Sequence, residues 1–510
     1  MSGANKVAKN SFLYTVANMV TKASTFLLLF IYTNPNFLST EDYGRVNLLT
    51  SFTNIAVLLV NLSLPYALIR FYAEYKLDKE KCKKFFGTIM TFMVLFGAVV
   101  VGVMILFRNP IGDILFKGIQ VYPAVVLAIL TLVFNALYQM YQSILQAKQQ
   151  GGKFTKNSLL YFFFHVSLNV LFLAFGKGVY VLGFELGGVN GMMLSLFLSN
   201  LVFTLYGIYD MSKHGLMSFT IDKEMLFTAL KYSVPLLPHN IANNMASYIS
   251  KHFLNAAGKA FENGIYSVSM QFSSIIEIVQ SSIHLAFRPW FNDKMKLGEE
   301  GKKEIVDLAS VAFRISAIVC LGVALFSQEV VMLLSDNYYD AWKYVPIIAV
   351  AHAIKFVYFT HTFGIMYDIK QSKKMFFCSG SAIAVNFTAS YILTQFGLYN
   401  MLTAALCFAV SRATAALVSV VICRKNDIIK YNIGEMGFII VLVALFSAAG
   451  LVPVNVLYVG LNNEIALFSG TFFINVIFKF VVFAAGSVCI IGKKRNDIMS
   501  LVKGIIKKRL

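Results

Sequence analysis

The residues in this sequence that could do chemistry are cations placed inside long apolar runs. Six of them are candidate ligands for an anion: Lys22, Arg70, Lys251, Arg314, Lys355 and Arg412. A charge at the centre of a bilayer costs about 2.5–3.5 kcal/mol even on a lenient insertion scale, so such residues usually face a protein interior or a water-filled cavity. Glu277 is the only carboxylate well inside an apolar run, and one carboxylate cannot neutralise several cations. The pattern predicts a strongly positive cavity that attracts an anionic ligand.

Each of these cations also has a plain structural interpretation. Arg70 and Lys251 lie near the ends of their runs, from which a long side chain can reach the membrane surface. Lys22 and Lys355 lie deep in theirs, and helix packing is the alternative to cavity lining there. The sequence leaves both interpretations open for every one of the six.

Glu277, His239 and His284 are candidates for a different task, which is an ion pair with a cavity cation or the binding of a coupling ion. A histidine can change its charge near physiological pH, so proton coupling fits these positions. A hydrogen-bonded histidine at a helix-packing surface is the simpler alternative. We therefore expect either Na⁺ or H⁺ as a coupling ion, without a choice between them.

No motif of a soluble enzyme is present. The sequence lacks the glycine-rich phosphate loop, the H-E-x-x-H zinc motif and the G-x-S-x-G nucleophile motif. The six cysteines contain no C-x-x-C pair, which excludes a disulfide framework or a zinc site of the usual spacing. We expect no catalytic residues, no metal site, no cofactor and no enzymatic activity.

The elements that must position these side chains are membrane helices. Of the 510 residues, 58% are hydrophobic and 14% are charged, against about 45–50% and about 25% in soluble domains. Fourteen runs are long enough to span a bilayer, which takes about 20 residues. They are residues 12–33, 44–69, 86–107, 121–146, 156–176, 189–210, 233–255, 264–288, 305–328, 342–366, 375–396, 399–423, 436–458 and 465–491. The chain is therefore predicted to be an all-α polytopic membrane protein.

The loop charges predict an orientation. With the N-terminus in the cytoplasm, the cytoplasmic segments carry 31 Lys and Arg residues and the opposite side carries five. This excess matches the positive-inside rule and places both termini in the cytoplasm. The same rule explains the net charge of +19, so we expect membrane lipids rather than nucleic acid as partners.

A weak internal repeat predicts the domain organisation. An offset of 220 residues aligns 43–71 with 263–291, with identities that include Gly44 with Gly264 and Phe52 with Phe272. Six spans separate the two stretches, as in transporters built from two parallel repeats. We predict an N-terminal six-helix bundle at 1–211, a cytoplasmic linker at 212–232, a C-terminal six-helix bundle at 233–423, two appended helices at 436–491, and a basic cytoplasmic tail at 492–510.

Prolines mark possible bending points in two of the spans. Pro65 lies near the inner end of the second, and Pro235 and Pro238 open the seventh. Proline removes a helix hydrogen bond, and such breaks can serve as bending points in transporters. In the first turn of a helix, however, proline is simply tolerated.

Several of these stretches resemble one family. Residues 231–239, which read KYSVPLLPH, are similar to the entry of the seventh span in the polysaccharide transport family of Wzx-type flippases. Residues 41–44, 264–269 and 286–290 are similar to that family's pattern too. These flippases and the multidrug and toxin extrusion transporters belong to the multidrug/oligosaccharidyl-lipid/polysaccharide exporter superfamily. One departure stands out: where the family often has Asp-Arg late in span 7, this chain has Ser250-Lys251.

The resemblance implies a function. It would be the movement of an undecaprenyl-diphosphate-linked oligosaccharide, such as an O-antigen, capsule or exopolysaccharide repeat unit, from the inner to the outer leaflet of a bacterial plasma membrane. The cationic residues fit a diphosphate, and alternating access would come from rocking of one bundle against the other. A polysaccharide polymerase and glycosyltransferases would be expected partners.

Three other functions stay open at this point. They are a cation-coupled multidrug antiporter, a flippase for the peptidoglycan precursor, and a membrane polymerase or glycosyltransferase. An antiporter for cations would be expected to use intramembrane carboxylates, which are scarce here. A membrane enzyme would favour a long outer loop with catalytic residues, and the outer loops are short.

Overall fold

The computed structural model describes residues 26, 28–367, 374–458 and 469–494, and this part of the chain is almost entirely helical. By packing it divides into two compact units, Met1–Ser267 and Val268–Leu510, with the division inside a long helix. The all-α expectation is thereby confirmed. The predicted bundles at 1–211 and 233–423 were drawn from topology rather than from packing, and they stay a prediction.

The described part of unit 1 contains ten helices, a small hairpin and the start of an eleventh helix. They are α1 (Leu29–Tyr32), α2 (Thr40–Asn61), α3 (Leu64–Tyr75), α4 (Lys79–Leu106), α5 (Arg108–Leu115), a π-helical turn (Val121–Val125), α6 (Val126–Ala147), α7 (Gly151–Phe175), β1 (Tyr180–Val181), β2 (Phe184–Glu185), α8 (Gly188–Lys213), α9 (Lys223–Ser233), a 3₁₀ turn (Val234–Leu236), α10 (Leu237–Ala256) and α11 (Ala260–Met295). Helix α2 packs along α6 and α10, and α8 packs along α6 and α7.

Unit 2 begins within α11 and continues with six more helices in the described ranges. They are α12 (Glu299–Val331), a 3₁₀ segment (Asp336–Lys343), α13 (Val345–Tyr367), α14 (Met375–Gln395), α15 (Met401–Lys425), α16 (Ile433–Tyr458), α17 (Gly470–Ile491) and a closing 3₁₀ turn (Gly492–Lys494). Helix α15 packs along α13 and α14, whereas α16 and α17 pack on α12 and on each other. The two C-terminal helices are therefore part of the packed unit.

The predicted count of fourteen spans is not confirmed. Ten helices in the described part are long and apolar enough to cross a membrane, and a bent pair makes eleven. The predicted span at 12–33 lies mostly outside the described residues, as does most of the tail at 492–510. Helices α10 and α11 occupy the predicted spans at 233–255 and 264–288, but they do not reach the apolarity of the others. Polar helices of this kind belong next to protein or water rather than lipid.

The predicted second span is broken. Helices α2 and α3 meet at an angle of 51°, and Leu62 and Ser63 at the break have positive φ angles of 47° and 57°. The side chain of Asn61 accepts a hydrogen bond from the backbone N–H of Ser63 at 2.9 Å, and Asn240 of α10 donates to the Ser63 hydroxyl at 3.0 Å. Pro65 lies in the first turn of α3, just after the break. The bend thus comes from a hydrogen-bonded left-handed turn, to which the proline is only adjacent.

Candidate functional site

Lys251 is a buried cation in the described part of unit 1. It lies on α10 and is 7% exposed. Its Nζ donates to the hydroxyl of Ser51 on α2 at 3.0 Å, and no carboxylate lies within 4 Å of it in the described part of the chain. A buried lysine normally pairs with an acidic group, because taking its charge out of water is costly. Lys251 therefore has the position and the vacant donors to bind an anion.

Tyr248 adds a second donor on the same face of α10, three residues before Lys251. Its ring contacts Phe52 of α2, with the two centroids 6.4 Å apart, and the residue is 8% exposed. The Tyr248 hydroxyl has no hydrogen-bond partner among the described residues. A buried hydroxyl left without a partner costs free energy. An anionic ligand at Lys251 would give this hydroxyl an acceptor.

Contacts on both sides hold α10 in place around these residues. The His252 ring lies 3.3 Å from the carbonyl oxygen of Leu115, measured from Nδ1. The Asn255 amide donates to the carbonyl oxygen of Lys117 at 2.9 Å. His239, a predicted coupling residue, is half-buried in the first turn of the same helix. The Lys251 face is thus fixed by polar contacts with the end of α5 as well as with α2.

In unit 2, the structure brings three predicted residues together. Lys355 of α13 donates to Glu277 of α11 at 3.0 Å, and its ammonium group lies 5.2 Å from the centre of the Phe359 ring. The His284 ring contacts the rings of Phe359 and Phe363, with centroids 5.2 and 4.4 Å apart. The cation that Glu277 contacts is therefore Lys355.

The remaining predicted ligands have different surroundings. Arg412 of α15 is 8% exposed and lies 4.8 Å from the centre of the Phe408 ring. Arg314 of α12 pairs with Glu435 of α16 and donates to the backbone carbonyl of Ile490. Arg70 is exposed at the end of α3 and pairs with Glu74 at 3.2 Å.

Lys22 lies outside the described residues. The convergence of all six cations on one cavity, and their roles as ligands, stay predictions.

The acidic partners of the unit 2 cations were missed from the sequence. Glu435 and Glu329 lie near helix ends, outside the central apolar stretches. Glu435 pairs with Arg314, and Glu329 pairs with Lys479 of α17 at 2.7 Å. The statement that one carboxylate faces several intramembrane cations did not count these two glutamates. A charged residue one turn from a helix end is the signal that could have identified them.

A further polar cluster, also missed from the sequence, joins three helices of unit 1. Lys153 of α7 contacts both carboxylate oxygens of Asp210 on α8 at 2.6 Å. Tyr141 of α6 donates to the same carboxylate at 2.9 Å. The charges in this cluster compensate each other, in contrast to the surroundings of Lys251.

Comparisons with known proteins place the fold. The structure of a lipid II flippase, MurJ, in an inward closed conformation is 14% identical over 95% of this chain and 98% of its own, with a TM-score of 0.64. An inward-facing multidrug resistance MATE family transporter of the MOP superfamily is 15% identical over 81% of this chain and 94% of its own, with a TM-score of 0.58. A MOP superfamily transporter from Pyrococcus furiosus is 15% identical over 82% of this chain and 95% of its own, with a TM-score of 0.55. At these identities the likeness concerns the fold.

A search of curated proteins returned no match. The sequence profile of one family, described as "Polysaccharide biosynthesis protein", matches residues 7–295, which is more than half of the chain. This range includes Lys251 and all the stretches that carried the sequence resemblance. The protein is a multi-pass membrane protein with the fold of MOP superfamily transporters, and it belongs to the polysaccharide biosynthesis protein family.

Proposed function

We propose that this protein is a flippase that moves an undecaprenyl-diphosphate-linked oligosaccharide from the inner to the outer leaflet of a bacterial plasma membrane. The family supports a role in polysaccharide biosynthesis. The main observation behind the proposal is that the ammonium group of Lys251 is buried and that its partner among the described residues is the neutral hydroxyl of Ser51. A diphosphate would supply the negative charge that the surrounding side chains do not.

The mechanism would use alternating access. Lys251 and the Tyr248 hydroxyl would bind phosphate oxygens, while the polyprenyl chain stays in lipid. In unit 2, Lys355 and Arg412 are further proposed ligands, with Lys355 released from Glu277 when the phosphate binds. A ligand shifts a conformational equilibrium only if it binds the two states differently. A proton or Na⁺, with Glu277, His239 or His284 as its binding group, would provide that difference and the direction of transport.

The first test is the loss of the gene in its host. We expect the completed oligosaccharide to accumulate on its polyprenyl diphosphate carrier inside the cell, as measured by mass spectrometry of extracted lipids. An unchanged pool together with greater sensitivity to cationic drugs would contradict the proposal and favour the multidrug antiporter.

The second test is complementation of that strain with variants at one position. Lys251→Met should abolish export, because the ammonium group is lost while a side chain of similar length fills the space. Lys251→Arg should retain export at least in part, because the positive charge remains. The matched control is Lys259→Met, which lies at the same end of unit 1 in a partly exposed pair with Glu262. Export by Lys251→Met at the level of the control would contradict the role of Lys251.

A further inference from the structure

A polar cavity of about 460 Å³ lies in unit 1, at the end where α2 and α8 begin. Its walls come from residues 35–39 before α2, from 118–120 after α5 and from 187–190 at the start of α8, together with Lys177 and Glu185. The volume is within the range of about 300–1,000 Å³ that is usual for small-molecule sites. The charge distribution of the sequence predicts that this end of the unit faces the outside.

The polar walls are held in position by contacts within the protein. Arg45 pairs with Asp42 at 2.8 Å. The Glu185 carboxylate accepts the backbone N–H of Gly178 at 2.7 Å, and Asn190 donates to the backbone oxygen of Glu185 at 3.2 Å. Groups that are positioned before a ligand arrives lose little entropy when it binds. The polar groups that line the cavity are therefore preorganised, as in a binding site.

The charges that line the cavity compensate each other. Arg45 and Lys177 contribute two positive charges, and Asp42 and Glu185 contribute two negative charges. This differs from the surroundings of Lys251, where the described part of the chain supplies a cation without a carboxylate. A diphosphate would be repelled by the two acids of the cavity as much as it is attracted by the two bases. The charge balance points to a ligand that is polar but uncharged.

The hydrogen-bonding groups and one ring define that ligand further. Helix α8 begins after Gly187, and no side chain caps its first N–H groups, which a helix leaves without an intrahelical partner. The carboxylates of Asp42 and Glu185 are acceptors, and Gln120 can both donate and accept. Phe37, 36% exposed, offers an apolar surface in the same lining. Hydroxyl groups beside an apolar ring face are the chemistry of a sugar.

Other ligand classes fit this cavity poorly. An acyl chain would need apolar walls throughout, whereas this lining also contains an ion pair, two further charged side chains and three amides. A metal ion would need several free ligands, and the described residues contain no group of three or more His, Cys, Asp or Glu side chains arranged to hold one.

We propose that this cavity binds the sugar part of the transported lipid, separately from the diphosphate. The proposal rests on the proposed function for the identity of its ligand. It gives the protein a second subsite that recognises the glycan itself. Because the subsite lies at the predicted outer end of unit 1, it would hold the glycan on the side to which it is delivered.

The experiment measures binding of free glycan to the purified full-length protein in detergent. The probe is the reducing oligosaccharide released by mild acid from the surface polysaccharide of the host, which carries neither lipid nor diphosphate. Saturation-transfer NMR detects weak binding and identifies the sugar protons that contact the protein. We expect binding to the wild type and a loss of affinity of about tenfold for Phe37→Ala, since an aromatic contact is worth about that much. Gln120→Ala should show a smaller loss.

Both variants change exposed side chains, and thermal unfolding checks that they fold. The matched control is Phe175→Ala, an exposed phenylalanine at the end of α7 that does not line the cavity. This variant should bind the glycan as the wild type does. Equal affinities for Phe37→Ala, Gln120→Ala and Phe175→Ala would overturn the proposal.

A parallel titration with undecaprenyl diphosphate that carries no sugar separates the two proposals. If this lipid binds and the free glycan does not, the sugar site is refuted and the flippase proposal stands. If the glycan binds but deletion of the gene leaves the lipid-linked pool unchanged, the flippase proposal fails and the sugar site stands.

Discussion

Three lysines in the described helices, two buried and one partly buried, are stabilised in three different ways. Lys479 is fully buried, with Glu329 and Gln328 each 2.7 Å from its Nζ. Lys355 is paired with the partly exposed Glu277. Lys251 contacts the hydroxyl of Ser51. Lys479 and Lys355 each have a carboxylate partner and so join two helices. Lys251 contacts a neutral hydroxyl instead, and its charge is available to an anionic ligand.

This difference gives a stability prediction for the Lys479–Glu329 pair. Lys479→Met alone or Glu329→Gln alone should destabilise the protein by about 3–5 kcal/mol, because each leaves a buried charge without its partner. The double variant should recover most of that loss. The free energy of unfolding in detergent, compared in a double-mutant cycle, measures the coupling.

The exposed pair Lys343–Asp340 is the control for this cycle, and its coupling should be below about 1 kcal/mol. Lys355–Glu277 should lie between the two pairs, since Glu277 is 38% exposed. A coupling for Lys479–Glu329 no larger than for Lys343–Asp340 would contradict this account.

Sequence alone identified the cations inside the apolar runs but, apart from Glu277, not their neighbours. Lys251 was recognisable because a charge interrupts an apolar run. Its partner Ser51 is 200 residues away, and the partner of Arg314 is 121 residues away. One sequence holds no information on which distant residues meet, and so the roles of Ser51, Tyr248, Glu329 and Glu435 needed the structure.

At the scale of elements, small residues decide where two helices approach closely. A Cβ added at Gly44 of α2 would lie 2.6 Å from the carbonyl oxygen of Ala260 and 2.7 Å from the backbone nitrogen of Gly264. The side chain of Asn263 donates to the carbonyl oxygen of Gly44 at 3.2 Å. Gly44 and Gly264 are the residues that the internal repeat aligned. A Cβ added at Gly264 would clash with the backbone of Thr40, so both glycines allow the close approach of α2 and α11.

We therefore expect opposite effects from two Gly→Ala substitutions. Gly44→Ala should destabilise the protein by about 1–3 kcal/mol, because the backbones of α2 and α11 must move apart. Gly102→Ala, on α4, should be neutral or stabilising by up to about 1 kcal/mol, because nothing lies within 4 Å of the new methyl group and alanine favours the helix.

The melting temperature of each glycine variant in detergent measures these effects. Equal melting temperatures for Gly44→Ala and the wild type would show that the helices can separate at no cost.

At the scale of the whole molecule, hydropathy predicted most of the described helices, and the count of fourteen spans is not confirmed. The ten apolar helices coincide with predicted spans, because burial in lipid demands continuous apolar sequence. The same rule also predicted spans where apolar and polar residues mix, as in α10 and α11, and these two helices do not reach the apolarity of the ten. It also treated α2 and α3 as one span with Pro65 as the bending point, since the left-handed turn at Leu62 and Ser63 leaves no strong signal in the sequence.

The orientation of the molecule can be tested with single cysteines. Cys489 is exposed and the other five cysteines, all among the described residues, are buried. The Cys489→Ser variant should therefore react little with a maleimide. In that background, a membrane-impermeant maleimide should label Lys177→Cys in intact spheroplasts. It should label Lys81→Cys only after permeabilisation, because the positive-inside rule places that segment in the cytoplasm. The reverse pattern would invert the predicted topology.

The pairing of Lys479 with Glu329 has a consequence for how the protein is made. The two residues are separated by 150 positions, with Glu329 synthesised first. Helices α12 to α16 therefore leave the ribosome before the ammonium group that neutralises Glu329 exists. Assembly of unit 2 must therefore wait for α17, its last described helix. A chain that stops before α17 would insert Glu329 into the membrane without the lysine that neutralises it.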